Sequence, residues 1–241
     1  MSRYAIIADI HANLEAFKVV LEDIKLQNCT HVVCLGDVVG YGANPKECLD
    51  IVREMKIPCI KGNHDEMCSV DKNLEGFNPY AAEAIMWTRD QLTDDDRQWL
   101  RELKYQRLIA NFTIVHATLD LPHQWGYVFD KLMAAASFTY QNTQVCFFGH
   151  THVPLAFIRD SVVRGGTYSK FKVEPGKKYF VNVGSIGQPR DNDPRAGYVV
   201  YDMNENTIEL RRLEYDIPTA QKKILAAGLP ARLAERLAYG K

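Results

Sequence analysis

Aspartate and histidine recur in this chain directly after short apolar runs, where a chain leaving a strand can aim a side chain at a ligand. Phe147-Phe148-Gly149-His150-Thr151-His152 ends such a run in a glycine and two imidazoles one residue apart. The same ending recurs at Asp9-Ile10-His11, Gly36-Asp37, Gly62-Asn63-His64-Asp65 and Val115-His116. Three oxygen donors (Asp9, Asp37, Asn63) and four imidazoles (His11, His116, His150, His152) suit manganese, iron or zinc better than calcium or magnesium, which favour oxygen alone. Two divalent ions held close together need such a mixed set, plus one carboxylate able to share its oxygens between them.

Each residue alone has a structural reading. An aspartate after a strand commonly caps a helix, a lone histidine is commonly a packing residue, and His-x-His can face both sides of a strand. Five such endings on successive runs point instead to one ligand cluster, and with His64 they hold five of the seven histidines. His31, at the start of a strand-like run, and His123, in a loop, keep their structural reading.

The elements that must position these groups are legible as changes of period. Tyr4–Ala8, Val32–Leu35 and Cys59-Ile60 read as strands covered on both faces. Between them, Leu14, Phe17, Leu21 and Ile24 recur at helical spacing, and Asn44-Pro45-x-Glu47 reads as a helix start leading over 45–55. Strand and helix alternating with short links imply right-handed crossovers and a parallel core, whose ligands bind beyond the carboxyl ends of the strands. Residues 66–104 read as helical, with starts at Asn78-Pro79 and Thr93-x-x-Asp96, and are expected to form a partial cap. A hairpin over 108–115 delivers His116, a long loop runs over 117–130, and a helix near 131–140 precedes the strand that delivers His150 and His152. Strand-like pieces at 153–158, 162–164, 167–173, 179–183, 198–201 and 207–213 alternate more, as in mixed or antiparallel sheet. Residues 217–239 read as two helices broken at Gly228-Leu229-Pro230. The expected fold is α/β: two mixed sheets packed as a sandwich flanked by helices, one domain over 1–241, with the metal site at the C-terminal strand ends.

Composition narrows the function. With 46% hydrophobic content in 241 residues the chain can bury a sizeable core. A net charge of -1 gives no global reason to bind long nucleic acid or an anionic membrane. No apolar run approaches the roughly 20 residues of a spanning helix, and Met1-Ser2-Arg3 leads straight into a strand-like run, so a cytoplasmic location is expected. The six cysteines show no C-x-x-C spacing and mostly sit in apolar runs, which favours buried free thiols over disulfides or structural zinc.

The ordered series Asp9-x-His11, Gly36-Asp37, Gly62-Asn63-His64-Asp65, His116 and Gly149-His150-x-His152 resembles the calcineurin-like metallophosphoesterase superfamily. Asn182-Val183-Gly184-Ser185-Ile186-Gly187-Gln188-Pro189-Arg190 further resembles its bacterial and archaeal small phosphodiesterase branch, which includes diadenosine tetraphosphatase-related proteins. The resemblance implies one metal on Asp9, His11, Asp37 and His152, and a second on Asp37, Asn63, His116 and His150, with Asp37 as bridge. It implies hydrolysis of a phosphoester in a small phosphorylated substrate, with nucleotides among the candidates (a phosphodiester or a dinucleoside polyphosphate), by metal-bound hydroxide. His64 would stabilise charge on the phosphoryl group or protonate the leaving oxygen, and Asp65 is a weaker candidate for orienting it.

The chain also departs from the family. Relatives that dephosphorylate protein serine and threonine carry Asp-Arg where this chain has Gly40-Tyr41, and His-Gly-Gly where it has His116-Ala117-Thr118. Arg190 is the candidate replacement for the missing phosphate-binding arginine, its alternative being a surface pair with Asp191 or Asp193. Tyr41 and Trp125 form either an aromatic wall for a nucleobase or a packing contact between loops. The other functional readings are a phosphomonoesterase or protein phosphatase and, outside enzymes, a metal-stabilised binding scaffold.

Overall fold

The computed structural model describes residues 2–75 and 77–241; Met1, and Gly76 within the expected helical segment 66–104, lie outside the described residues. β1 (Arg3–Ile7) and β2 (His31–Cys34) run parallel, Ile7 beside Cys34, with α1 (Leu14–Leu26) as the crossover. Asn13 caps α1 by accepting from the Ala16 amide at 3.1 Å, and the helix buries Phe17, Val20 and Ile24. α2 (Pro45–Glu54) starts on its proline, but the Asn44 side chain donates to Glu47 Oε1 at 2.7 Å instead of capping. Cys59-Ile60, expected as a third strand, forms only isolated bridges, Cys34 with Cys59 and Ile60 with Lys104. The chain then turns at once into α3 (Asn63–Ser69), so the helical segment begins at Asn63 rather than Glu66.

α4 (Pro79–Gln91) and α5 (Asp94–Glu102) follow, and Thr93 with Asp96 forms the capping box that their spacing predicts. β3 (Gln106–Ile109) and β4 (Phe112–Val115) make the hairpin, α6 (Lys131–Tyr140) comes next, and β5 (Val145–Phe148) lies parallel to β4. The remaining strands are β6 (Ala156–Arg159), β7 (Val163–Gly166), β8 (Lys170–Lys172), β9 (Lys178–Asn182), β10 (Ala196–Asp202) and β11 (Thr207–Leu213). They sort into two mixed sheets of order β2-β1-β10-β11-β8 and β3-β4-β5-β9-β6-β7. The chain ends in α7 (Ile217–Ala226), α8 (Ala231–Glu235) and a 3-10 turn over Arg236–Tyr239.

Period-2 alternation along β1 explains the layering. Ile6 faces a core shared with Phe147 and Val181 of the second sheet, whereas Ala5 and Ile7 face Phe17 and Val20 of α1. On the far side of the second sheet, Phe148 and Phe180 stack at 4.1 Å and pack with Phe138 of α6. The result is helix, sheet, sheet, helix. Among the described residues no helix is long and apolar enough to cross a membrane. All six cysteines are free, and all but Cys29 are buried.

Candidate active site

The C-terminal ends of β1, β2, β4 and β5 and the first turn of α3 meet at one rim. Asp9, His11, Asp37 and His152 form one group of potential ligands and Asp37, His116 and His150 another, with the atoms of each group within 4.8 Å of one another. Asp37 belongs to both: its Oδ2 is 3.5 Å from His11 Nε2 and 3.4 Å from His116 Nε2. Asn63, on the wall of the cavity, brings its Oδ1 to 3.3 Å from His116 Nε2. The six ligand candidates other than Asn63 are buried.

The loops reach this geometry through unusual backbone. Asp9, His11, Asp37, His150 and His152 all adopt left-handed φ, between 47° and 66°. Such conformations cost non-glycine residues free energy, so the surroundings must impose them. Gly62 shows the closeness required: a Cβ there would lie 2.0 Å from Asp37 Oδ1. Asp65 supplies the fastening, accepting from the amides of Asp37 at 2.7 Å, Val38 at 2.9 Å and Gly62 at 3.1 Å. Asp37 Oδ1 in turn accepts from the His64 amide at 2.8 Å. Asp65 therefore anchors the Asp37 loop, and its carboxylate does not orient the His64 ring.

The four imidazoles share one arrangement. His11 Nδ1 faces the Val39 carbonyl at 3.2 Å, His116 Nδ1 the Leu35 carbonyl at 2.7 Å, His150 Nε2 the Trp125 carbonyl at 2.9 Å and His152 Nδ1 the Gln188 carbonyl at 2.6 Å. A carbonyl oxygen only accepts, so each of these nitrogens carries the proton and a neutral ring keeps its lone pair on the other. His11 Nε2 and His152 Nε2 consequently point lone pairs at each other across 3.1 Å. Two bare acceptors that close repel unless a cation lies between them.

Electrostatics agree with a cation site. Burial holds the His11 and His150 rings well below the usual imidazole range and lowers His152, leaving all three neutral at pH 7. Burial opposes charge on His116 too, but Asp37 outweighs it and pushes that ring up to about 10. Asp37, which burial alone would raise, is held well below the carboxylate range chiefly by His116. The His116 proton thus neutralises the carboxylate that a metal ion would otherwise neutralise. The donor set fits divalent metal, with nitrogen and oxygen ligands mixed.

The calcineurin-like phosphoesterase superfamily domain model matches residues 3–206. The chain belongs to that superfamily. An uncharacterised protein of Methanocaldococcus jannaschii is 37% identical over 100% of this chain and 99% of its own. The crystal structure of a metallophosphoesterase from Sphaerobacter thermophilus superposes with a TM-score of 0.88 at 37% identity, covering 100% of this chain and 99% of that one. A hypothetical protein from Pyrococcus horikoshii shares the fold at 17% identity, with a TM-score of 0.83 and coverage of 100% and 99%. Calcineurin-like phosphoesterases are metal-dependent hydrolases of phosphoester bonds, and this chain is one of them.

The surroundings of His64 leave no room for a side chain at Gly40. A Cβ on Gly40 would sit 2.5 Å from His64 Nδ1, so the position occupied by aspartate in the protein phosphatases here admits no side chain. His64 Nδ1 is buried with no hydrogen-bond partner among the described residues, and burial pushes the ring down to about 4. The ring is held instead by Tyr41 at 4.2 Å and by an edge contact with His11 at 4.9 Å. A cavity of about 260 Å³ opens over His64, Asn63, Asp37 and Arg190. Arg190 reaches it with its guanidinium 5.7 Å from the Tyr41 ring centre and Nη2 donating to Gln188 Oε1 at 2.8 Å. The pairing of Arg190 with Asp191 or Asp193 does not form, because Arg212 takes Asp191 and Arg195 takes Asp193. Tyr41 and Trp125 both line the cavity, and Trp125 also packs edge-on against His116 at 5.7 Å.

Sequence reasoning missed Tyr127, which stacks on His150 at 4.4 Å, and Phe77, another wall residue. It also missed the four carbonyls that fix the imidazoles, since a carbonyl leaves no signal in residue type. Of the two histidines set aside, His31 stacks on Tyr4 at 4.6 Å and His123 lies edge-on to Tyr105 at 6.3 Å; neither lines the cavity.

Proposed function

We propose that this protein hydrolyses a phosphoester bond in a small phosphorylated molecule, a phosphodiester or a polyphosphate ester, at a centre of two divalent ions. Asp9, His11, Asp37 and His152 would hold one ion and Asp37, Asn63, His116 and His150 the other. The observation that carries the reading is the set of four carbonyl-pinned imidazoles turned inward on Asp37, two of them with lone pairs 3.1 Å apart. Bound ions supply an activated water and neutralise charge on the phosphoryl oxygens.

The chain's own residues do the rest. Arg190 presents a guanidinium to the cavity, where its fork matches phosphate oxygens and holds the substrate in register. His64, neutral at pH 7, donates an N–H to a phosphoryl oxygen as charge develops there, rather than delivering a proton as an imidazolium. Asn63 lines the same cavity and faces the substrate. Tyr41, Trp125 and Tyr127 wall it with aromatic faces that suit an aryl or nucleobase ester.

The test is hydrolysis of bis(p-nitrophenyl) phosphate with manganese, iron, zinc, nickel or cobalt added in turn. Turnover with at least one metal, lost in Asp37→Asn, is expected. No turnover with any of them, or an unaffected Asp37→Asn protein, overturns the reading. Preference for p-nitrophenyl phosphate over the diester would move it to a monoesterase.

A further inference from the structure

A second cavity, of about 400 Å³, adjoins the first, and Tyr41, Asn78, Tyr127 and Arg190 line both. Its outer side comes from the C-terminal segment: Arg232 of α8, Arg236 of the closing 3-10 turn, and Lys241. Four cationic side chains therefore surround one space, and among the described residues no Asp or Glu side chain lines it. In a chain of net charge -1 this is a local concentration, not a reflection of composition. The two acids that follow Arg190 in the chain pair elsewhere, Asp191 with Arg212 and Asp193 with Arg195. Arg236 Nε donates to the main-chain oxygen of Lys241, Arg190 Nη2 to Gln188, and the buried Nε of Arg190 has no partner among the described residues.

The segment is a built wall rather than a frayed end. Leu233 and Leu237 are buried in a cluster with Ala84 of α4 and Ile224 of α7, and the Asn192 amide donates to the Gly240 oxygen at 2.9 Å. Holding Arg236 there has a cost: burial, and after it the neighbouring Arg190, push its guanidinium down to about 10. Arg190 and Arg236 are crowded together and partly dehydrated, and cations in that state are stabilised when an anion joins them. The superfamily model matches only residues 3–206, so Arg232 and Arg236 lie outside the region it describes.

We propose that this cavity is a second phosphate subsite, in which Arg190, Arg232 and Arg236 hold a further phosphate of the substrate beyond the one at the hydrolytic centre. Guanidinium forks match phosphate oxygens two at a time. Tyr41 and Tyr127 flank the passage between the two sites. The inference rests on the phosphoesterase reading above and narrows it, from any small ester to one carrying a polyphosphate chain or a second phosphoryl group.

Two measurements separate this inference from that reading. Binding of inorganic tripolyphosphate to the metal-free protein, followed by calorimetry, should weaken at least tenfold in Arg232→Glu. That residue is exposed, and its reversal leaves the apolar cluster intact; Arg236→Ala serves as a second variant. With the manganese-loaded enzyme, Arg232→Glu should raise KM for a dinucleoside tetraphosphate about tenfold at nearly constant kcat, while kcat/KM for bis(p-nitrophenyl) phosphate changes less than twofold. Unchanged tripolyphosphate affinity in both variants, or equal losses on the two substrates, overturns the subsite. If the wild-type enzyme turns over neither substrate, the hydrolytic reading falls, and the calorimetry alone decides the subsite.

Discussion

Of the four inward-facing imidazoles, only His116 carries a proton at neutral pH that an entering cation must displace. Its pKa in the metal-free fold is about 10, against an ordinary value of 6.5, because Asp37 outweighs the effect of burial. A group raised in this way stabilises the metal-free fold fully below about pH 6.5 and loses that contribution as pH rises through about 10. Metal binding runs the other way. Between pH 6.5 and 9, manganese affinity measured by chelator competition should rise about tenfold per pH unit, with one proton released per chain. A pH-independent affinity would contradict the assignment of His116. His64 makes a different prediction, since its ring is already neutral above about pH 4. His64→Ala should lower kcat about 10²–10³-fold, the usual loss for one donor to a developing oxyanion. In the wild-type enzyme, kcat should show no fall as pH rises through 6.5; a falling limb there that vanishes in His64→Ala would mean the ring acts as an imidazolium.

At the scale of elements, α3 and the two loops it faces behave as one unit fastened through Asp65. Removing that carboxylate in Asp65→Ala leaves the amides of Asp37, Val38 and Gly62 without acceptors in a buried setting. Each orphaned donor costs about 1–3 kcal/mol. We expect a lower Tm and at least a tenfold loss of manganese affinity, although Asp65 is not among the candidate ligands; unchanged affinity by titration calorimetry would show that the Asp37 loop holds itself. This fastening was hidden in the sequence, where Asp65 read as a partner for the adjacent His64. β1, β2 and β5 were legible because two-sided burial removes polar alternation, and α1 because Leu14, Phe17 and Ile24 keep helical spacing, whereas Cys59-Ile60, read as a third strand, forms only isolated bridges. The start of α3 was not, since Gly62-Asn63-His64-Asp65 carries no apolar period. Nor was the placing of β8, which joins the first sheet although its chain neighbours β7 and β9 lie in the second.

The molecule as a whole turns these local devices into a clamp across its two sheets. Asp9 and Asp37 leave the first sheet, while His116, His150 and His152 leave the second. Residue types and order revealed that set, because chemistry restricts ligands to a few side chains. Left-handed backbone at five of them, and β10 pairing antiparallel to β1 from almost 200 residues away, depend on tertiary contacts that no local pattern encodes. A cation bound between the sheets links parts of the chain that are far apart once unfolded, so the unfolded chain offers no comparable site. A ligand that binds only the native state at a hundred times its Kd stabilises it by about 2.7 kcal/mol. For a chain of this length each kcal/mol moves Tm by about 2–4 °C. Manganese at that excess should therefore raise Tm by about 5–11 °C per ion bound, reversibly on adding chelator, and Asp37→Asn should lose most of the gain because its carboxylate faces both ligand groups. Equal melting temperatures with and without metal would show that no ion binds the native cluster and would overturn the clamp.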